Sequence, residues 1–442
     1  MTIQSSNAVI LFHSAGAIIN KMRFLHAADL HLDSPLRGLD RYEGAPVDDV
    51  RGATRRAFEN LIATALRERV DLVVIGGDLY DGDWPDHNTG LFFVKGVTQL
   101  AEEGIPVVIV RGNHDAASKL TKSLRLPRNV HLLNDAKPET FVLDQIGVAV
   151  HGQSFATPAV LDDLASAYPA FIPDYFNIGL LHTSLNGRPG HDSYAPTTLS
   201  VLQGKGYDYW ALGHVHAAEI VSREPWVVYP GNTQGRHIRE FGAKGCSLLT
   251  VENGMVLEHQ AIALDVMRWE TLSLDIASLP DLDALLDAAA VGIRGRLAQA
   301  EGRTLAIRVQ IAGSGPLHRV LAIQPETVEQ QLRSAAIEAS NAQVWIEKVE
   351  LTTRPQLDLD RIAERDDPLG LLVRELRGLA SDNAARGVMA EEAIQDLQQK
   401  LPVELREGPH ALLLNVPDVL TELLYEVEGE LIARLSGEGT TS

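Results

Sequence analysis

Residues 71–80, with the sequence DLVVIGGDLY, contain the pattern that decides the fold. An uninterrupted apolar run at 72–75 is followed by two glycines and then by Asp78. A short apolar run bounded by turn residues is typical of a strand that is buried on both faces, as in a parallel sheet. A carboxylate directly after such a strand lies at the carboxyl edge of the sheet, where ligand-binding residues of α/β folds collect. The stretch therefore predicts an α/β fold with a polar site at one edge of a sheet.

The same pattern recurs over residues 22–265. Further apolar runs occur at 24–28, 107–110, 178–181, 209–212 and 226–229. A helical pattern with apolar residues on one face, residues 50–69, lies between the first run and the run at 72–75. Strands that alternate with helices predict one α/β domain over 22–265.

The pattern changes on both sides of this domain. Residues 1–21 have no convincing strand or helix pattern, so we expect a disordered leader. Over residues 266–354, an alternating strand pattern at 305–311 interleaves with helical patterns at 279–300 and 325–339 and with a strand pattern at 344–351, which predicts a small α+β capping domain. Residues 355–442 are largely helical in pattern, and an apolar stripe at 420–431 is suited either to packing within the chain or to docking on a partner helix.

Composition limits the classes of function. The chain has 442 residues, 39 Lys and Arg against 59 Asp and Glu, and a formal charge of −20. Such a charge opposes nucleic-acid binding unless bound cations or a partner supply attraction. The one cysteine, Cys246, excludes an internal disulfide and a thiolate metal site, and no apolar stretch reaches the roughly 18 residues of a membrane span. We therefore expect a soluble, cytoplasmic protein with no membrane contact.

Metal-ligand residue types follow five of the six apolar runs. They are Asp29, His31, Asp78, Asn113, His114, Asp115, His182, His214 and His216. Carboxylates, an amide and imidazoles without a thiolate favour hard to borderline divalent ions, of which manganese fits best. More ligands are present than one four-coordinate ion needs, so we expect two ions about 3.5–4 Å apart, with Asp78 as the bridge. Such a pair is suited to phosphoester hydrolysis.

The order of these residues resembles a known family. Asp29-Leu30-His31, Gly76-Gly77-Asp78, Gly112-Asn113-His114-Asp115, Leu180-Leu181-His182 and Gly213-His214-Val215-His216 are similar to the five signature segments of calcineurin-like metallophosphoesterases. The opening residues 24–33 and the small capping domain resemble the SbcD nucleases, particularly their YhaO-like branch. The resemblance covers residues 22–353 and implies a four-layer αββα sandwich.

The resemblance also implies roles for single residues. It places Asp29, His31, Asp78 and His216 on one ion and Asp78, Asn113, His182 and His214 on the other. His114 would then protonate the leaving oxygen or steady the phosphate, with Asp115 orienting its ring. Some relatives carry a histidine three residues after the bridging aspartate, where this chain has Asp81. This departure leaves strand preference and direction of cleavage open.

Two basic features are candidates for binding substrate. Lys119, Lys122, Arg125 and Arg128 recur at every third residue directly after the segment 112–115. They are suited to a nucleic-acid backbone, although a solvated face gives the same pattern. Residues 230–234 predict a turn whose backbone amides, with Arg236 or Arg239, are able to face a phosphate.

The resemblance implies a metal-dependent DNA nuclease of DNA repair that works beside an SMC-like coiled-coil ATPase of the SbcC type, and a homodimer is compatible with it. Two other functions stay open on the residues alone. The chain could hydrolyse a small phosphodiester or nucleotide, or it could bind DNA ends or a partner without turnover.

Overall fold

The structure, a computed structural model of the 442-residue chain, describes residues 21–34, 52–81, 88–117, 125–187, 193–355 and 359–382. The chain divides into two compact units. The first comprises Met1–Glu270 and Ala300–Ala306, and the second comprises Thr271–Gln299 and Ile307–Ser442. Within the described ranges, no helix combines the length and the apolar character needed to cross a membrane. The predicted leader and the apolar stripe at 420–431 lie outside the described residues.

The first unit contains twelve strands and four α-helices in its described part. The strands are β1 (Met22–Ala27), β2 (Leu72–Ile75), β3 (Val107–Ile109), β4 (Val130–Leu132), β5 (Glu139–Leu143), β6 (Val148–Gly152), β7 (Phe176–His182), β8 (Tyr209–Gly213), β9 (Glu219–Arg223), β10 (Trp226–Tyr229), β11 (Gly245–Glu252) and β12 (Met255–Ala263). The helices are α1 (Ala53–Glu68), α2 (Asn88–Glu102), α3 (Asn113–Ala117) and α4 (Leu199–Gly204).

The strands form two six-stranded mixed sheets. The first has the order β12-β11-β1-β2-β3-β4 and the second has the order β5-β6-β7-β8-β10-β9. β1 to β4 are parallel, as are β6, β7, β8 and β10. All six predicted apolar runs are strands, and the inner ones are buried along their whole length because parallel strands are covered on both faces.

Three apolar layers hold the sheets and helices together. Phe24 and Val74 of the first sheet pack with Ile178 of the second in the core between the sheets. On the outer face of the first sheet, α1 and α2 supply Phe58 and Phe93 among other residues. On the outer face of the second sheet, α4 and the preceding loops cover β7 and β8. The predicted α/β sandwich flanked by helices is confirmed.

The second unit is built around a three-stranded sheet with the order β13-β14-β15. Its elements are β13 (Met267–Asp275), α5 (Leu282–Gln299), β14 (Thr304–Gly315), α6 (His318–Ile323), α7 (Pro325–Ser340), β15 (Val344–Pro355), α8 (Leu359–Ala363) and α9 (Pro368–Ser381). The helices α5 and α7 contact each other, and α7 also contacts β15. This additional α+β domain is part of the predicted fold class, which is thereby confirmed.

Candidate metal centre

The candidate ligand residues lie at the carboxyl ends of five strands. They follow β1, β2, β3 and β8, and one is the last residue of β7. β1, β2 and β3 are neighbours in the first sheet, and β7 and β8 are neighbours in the second. Both sheets present these strand ends at the same edge, so side chains 185 residues apart in sequence approach within hydrogen-bond distance, as His31 and His216 do.

The backbone turns sharply at four of these residues. Asp29, His31, Asp78 and His214 have φ angles of 52°, 43°, 51° and 97°. Residues other than glycine adopt positive φ at a cost of about 1–3 kcal/mol, and such strain is concentrated at functional sites. The His214 N–H donates to both carboxylate oxygens of Asp29, at 3.1 and 3.0 Å, and this contact holds the turn after β8. The strained turns direct these residues to one place.

Asp29, His31 and His216 form a first cluster. The Nε2 atoms of His31 and His216 are 3.2 Å apart, and His216 Nε2 lies 3.9 Å from Asp29 Oδ1. One ligand atom from each of the three residues fits within a common distance of 4.8 Å. Two imidazole nitrogens and a carboxylate that face one another in this way form a site for a divalent cation.

Asp78, Asn113 and His182 form a second cluster. His182 Nε2 lies 3.0 Å from Asn113 Oδ1 and 3.5 Å from Asp78 Oδ2. The Nδ1 atom of His182 donates to the Gly76 carbonyl at 2.9 Å, which leaves Nε2 as the acceptor that a metal requires. Asp78 Oδ2 is also 3.9 Å from His31 Nε2, so this carboxylate lies beside both clusters.

His214 stands at the edge of the second cluster. Its ring centroid is 5.1 Å from that of His182 and 5.6 Å from that of Tyr194. Among the described residues, the groups of His and Asp with ligand atoms within 4.8 Å of one another do not include His214. The structure thus brings all seven predicted ligands to one edge, with His214 more peripheral than the other six.

The charge of the clusters fits bound cations. Burial raises the pKa of Asp29 well above its ordinary value, and the nearby Asp78 carboxylate raises it further. Burial likewise raises the pKa of Asp78 to about 6, and it lowers the pKa of His31 well below its ordinary value. The raised pKa values mean that negative charge on these carboxylates is unfavourable without a compensating cation, and a divalent ion would supply one. Oxygen and nitrogen ligands without sulfur are the set that manganese, iron or zinc accepts.

His114 pairs with Asp81 rather than with Asp115. The Nδ1 atom of His114 is 3.0 Å from Asp81 Oδ1, and this interaction raises the pKa of the His114 imidazole. Burial alone would raise the pKa of Asp81, but the imidazole of His114 at 3.0 Å and that of His31 at 3.6 Å outweigh burial and hold the pKa well below its usual range. The Asp81 carboxylate therefore favours the protonated form of the His114 imidazole.

Asp115, which was expected to orient the His114 ring, has a different place. Its buried carboxylate accepts the backbone N–H groups of Gly112, Leu79 and Tyr80 at 3.1–3.2 Å. Asp115 is the third residue of α3, and an acid at this position reaches back to the N–H of the residue that caps the helix. The carboxylate thereby fixes the turns that carry Asp78 and His114, and it does not contact the imidazole.

Arg236 and Glu240 complete the site, and both come from the segment after β10. The Arg236 guanidinium lies 3.7 Å from Asp81 Oδ1 and 3.4 Å from Ser34 Oγ. Its buried Nε has no acceptor among the described residues. Glu240 accepts from His216 Nδ1 at 2.7 Å, and although burial opposes it, this hydrogen bond and the Arg236 charge hold the pKa of Glu240 well below its usual range.

The four residues predicted to contact substrate differ in where they lie relative to the clusters. Lys119 and Lys122 lie outside the described residues. Arg125 is exposed and has no described hydrogen bond or ion pair with the clusters. Of the two that the structure describes, Arg236 lies beside the candidate ligands.

Sequence reasoning missed Glu240 and Ser34 as members of the site. Glu240 lies 24 residues after its partner His216, and no spacing rule links the two positions. Ser34 and Asp81 hydrogen-bond to each other at 2.8 Å. The signal for Asp81 was its position three residues after Asp78, where some relatives carry a histidine, but that position did not indicate which side chain Asp81 would contact.

Comparison with known families assigns both parts of the chain. Residues 22–218 match the family described as calcineurin-like phosphoesterase. Residues 269–354 match the family described as metallophosphoesterase YhaO, middle domain. The chain is 35% identical over 303 residues to the uncharacterized metallophosphoesterase YhaO of Bacillus subtilis, an alignment that covers 68% of this chain and 74% of that protein.

More distant proteins are also similar. The DNA double-strand break repair protein Mre11 of Methanopyrus kandleri is 26% identical over 284 residues, or 56% of this chain and 58% of that protein. Among solved structures, TT1561 of Thermus thermophilus has a TM-score of 0.30 at 15% identity, and the match covers 54% of this chain and 98% of that one. GAP50, the anchor in the inner membrane complex of Plasmodium, has a TM-score of 0.33 at 14% identity over 55% of this chain and 89% of its own.

Proposed function

Because this chain belongs to the calcineurin-like metallophosphoesterase family and is therefore a metal-dependent phosphoester hydrolase, we propose that its substrate is DNA and that it acts as a nuclease in DNA repair. The observation that carries the hydrolase chemistry is that the two ligand clusters meet at Asp78, whose carboxylate lies near both His31 and His182. The His114 ring lies beside the clusters. The choice of DNA is supported by the similarity to the repair protein Mre11.

We propose two manganese ions as the cofactors. Asp29, His31, Asp78 and His216 would hold one, and Asp78, Asn113, His182 and His214 would hold the other. When bound, such ions activate water and neutralise charge on a phosphate that is being hydrolysed. The buried carboxylates and neutral imidazoles are suited to holding these divalent cations.

His114 and Arg236 would act on the phosphate directly. The Asp81 carboxylate favours a proton on His114, whose ring is about two-fifths exposed, and this proton would be available to a leaving oxygen. The buried Nε donor of Arg236 is suited to a phosphate oxygen. Lys119, Lys122 and Arg125 would contact the nucleic-acid backbone farther from the reacting phosphate.

A net charge of −20 opposes unaided binding to DNA. We therefore propose that an SMC-like coiled-coil ATPase of the SbcC type brings the chain to DNA, that the nuclease works as a homodimer, and that the complex acts in the cytoplasm. Bound Mn²⁺ would also offset the charge of the carboxylates in the clusters, which supports manganese as the cofactor. Co-purification of the chain with such an ATPase, and stimulation of cleavage by that ATPase and ATP, would test the partner.

The substrate is tested by incubating the protein and Mn²⁺ with labelled duplex DNA or with a cyclic nucleotide. We expect cleavage of DNA. Turnover of the cyclic nucleotide alone would replace DNA by a small phosphodiester as the substrate.

The mechanism is tested by Asp78→Ala and His114→Ala, with the exposed Asp162→Asn as the control. We expect the first to abolish hydrolysis and the second to lower kcat by about 10²- to 10⁴-fold, the usual contribution of a general acid. Parent-like activity in both variants would contradict the mechanism. A folded parent that binds DNA ends without cleaving them at any metal concentration would indicate a binding subunit.

A further inference from the structure

We propose that Glu240 is a positioning residue that fixes His216 as a metal ligand and Arg236 as a phosphate contact, so that one carboxylate sets up both halves of the site. The part that concerns Arg236 rests on the proposed function, whereas the part that concerns His216 requires only that the site binds a divalent ion.

Glu240 is the centre of a hydrogen-bond network that lies behind the ligands. Its side chain is 6% exposed. Oε1 is 2.7 Å from His216 Nδ1, 3.2 Å from an Arg236 guanidinium nitrogen and 3.5 Å from His237 Nε2. Oε2 accepts from Asn232 Nδ2 at 2.9 Å and from the Arg236 backbone N–H at 2.7 Å. Both oxygens of this carboxylate are therefore fully used.

The contact with His216 decides which ring nitrogen is able to bind a metal. A carboxylate only accepts hydrogen bonds, so His216 Nδ1 carries the hydrogen and Nε2 keeps its lone pair. Nε2 is the atom that faces His31 Nε2 at 3.2 Å. An Arg236 nitrogen also lies 3.3 Å from His216 Nδ1, but its hydrogen is accepted by the Glu240 oxygen. Glu240 thus selects the tautomer that the first cluster needs.

The contacts of Glu240 with Arg236 fix the part of the site that would bind phosphate. Glu240 accepts from Arg236 twice, through the backbone and through the guanidinium. These bonds hold the rest of the guanidinium beside Ser34 and Asp81, on the side of the His114 ring. An arginine with both its backbone and its side chain fixed loses less conformational entropy when a phosphate binds.

The segment has a separate anchor that does not involve the ligands. The Gln234 side chain donates to the Met267 carbonyl at 2.7 Å and accepts the Val266 N–H at 3.0 Å. Gln234 therefore ties the segment to the start of β13, and removing the Glu240 charge leaves this anchor in place. This makes Gln234→Ala a control that weakens the segment without touching His216.

Glu240→Gln is the informative variant because it keeps the shape of the side chain. If the amide oxygen faces His216, the amide NH₂ faces the donors of Asn232 and Arg236. If the amide turns over, its NH₂ donates to His216 Nδ1 and forces the hydrogen onto Nε2, which then no longer binds a metal. Either orientation disturbs one half of the site. Glu240→Asp keeps the charge but is shorter by one methylene.

The test measures binding of Mn²⁺ alone, by calorimetry and by the electron paramagnetic resonance signal of free Mn²⁺, on the full chain without substrate. We expect Glu240→Gln to weaken Mn²⁺ binding by about 10- to 100-fold, as loss of partners behind metal ligands does. The affinity of Glu240→Asp for Mn²⁺ should lie between that of Glu240→Gln and that of the parent. Gln234→Ala should lower Tm and leave the affinity for Mn²⁺ within about threefold of the parent.

A second measurement concerns Arg236. At saturating Mn²⁺, we expect Glu240→Gln to raise KM for bis(p-nitrophenyl) phosphate more than it lowers kcat. Parent-like affinity for Mn²⁺ in folded Glu240→Gln would overturn the proposal, and so would equal weakening in Gln234→Ala. If the parent binds Mn²⁺ and hydrolyses the aryl diester but not DNA, the DNA assignment fails while the role of Glu240 still stands on the metal-binding result.

Discussion

The Nδ1 atom of His114 lies 3.0 Å from Asp81 Oδ1, and this contact raises the pKa of the ring beside the ligand clusters. The carboxylate comes from the turn after β2, whereas the imidazole belongs to the first turn of α3. The same Asp81 oxygen is 3.7 Å from the Arg236 guanidinium. The residue that we propose as the general acid is thus held by a carboxylate from another strand end.

Asp81→Asn should change the pH dependence of hydrolysis. The raised pKa of His114 keeps the ring protonated to higher pH, so removal of the Asp81 charge should move the basic limb of the kcat profile to lower pH. Above neutral pH we therefore expect a lower kcat than that of the parent. Asp162→Asn serves as the control, and a pH profile identical to that of the parent would show that Asp81 does not hold the proton.

Asp78→Asn should stabilise the metal-free protein, and the gain should grow with pH. In the native state the pKa of Asp78 is about 6, whereas in the unfolded chain it is about 4. Between these values the unfolded state binds fewer protons, so each rise in pH lowers the free energy of unfolding. The difference between variant and parent should increase by up to about 3 kcal/mol from about pH 4 to about pH 7.

Urea unfolding in the presence of a chelator measures this difference for Asp78→Asn. Saturating Mn²⁺ should reverse the order, because ions bind the native parent and not the variant. A difference that stays constant with pH would show that Asp78 is ionised in the metal-free protein.

Gly112→Ala should disrupt the second cluster. An added Cβ would overlap Asp78 Oδ1 and would lie 2.7 Å from His182 Cε1, so at least one ligand has to move. We expect affinity for Mn²⁺ to fall by about tenfold or more. Gly295→Ala in α5 is the control, since its Cβ meets nothing within 4 Å and alanine stabilises a helix by about 0.5–1 kcal/mol relative to glycine. Unchanged affinity for Mn²⁺ in Gly112→Ala would show that the turn accommodates the added methyl group without moving the ligands.

His26→Ala should destabilise the contact between the two sheets. His26 lies on β1 in the first sheet, and its ring contacts Tyr209 Oη at 2.9 Å and the Leu212 carbonyl at 3.0 Å, both on β8 of the second sheet. Burial lowers the pKa of His26 to about 3, so the ring is neutral and donates to Leu212 while it accepts from Tyr209. We expect a loss of about 3–4 kcal/mol on removal of the ring.

Tyr209→Phe tests the same contact more gently. It leaves His26 Nδ1 buried without a donor and should cost about 1–2 kcal/mol in urea unfolding, with metal binding preserved. A Tyr209→Phe protein as stable as the parent would mean that the hydrogen bond between the sheets contributes nothing net.

Most of the buried parallel strands, although not β6, and a helix with clear end signals were the predictable part of the fold. The run at 72–75 is β2 itself, and the helix predicted at 325–339 is observed as Pro325–Ser340. Its ends are well defined because proline favours the first helical turn and Asn341, with a φ of 49°, adopts the left-handed conformation that ends a helix. In both cases local chemistry and tertiary packing favour the same structure.

Edge strands and lateral contacts were not predictable from the chain alone. β12 was missed because Met255 and Leu257 are 64% and 59% exposed, so its apolar residues do not alternate between buried and solvent-facing sides. The resemblance implied that Asp115 orients the His114 ring. The actual partner, Asp81, reaches the ring only through the approach of β2 to β3, which spacing along one chain does not encode.

The two sheets contribute separate ligands to the clusters, Asp29 and His31 from the first and His182 and His216 from the second. A cation bound between them would act as a clamp across the open edge of the sandwich. We expect the supply of metal in the cell to govern not only turnover but also how long each molecule survives. Chains that have not acquired their ions would open first at this edge and would be degraded first by proteases.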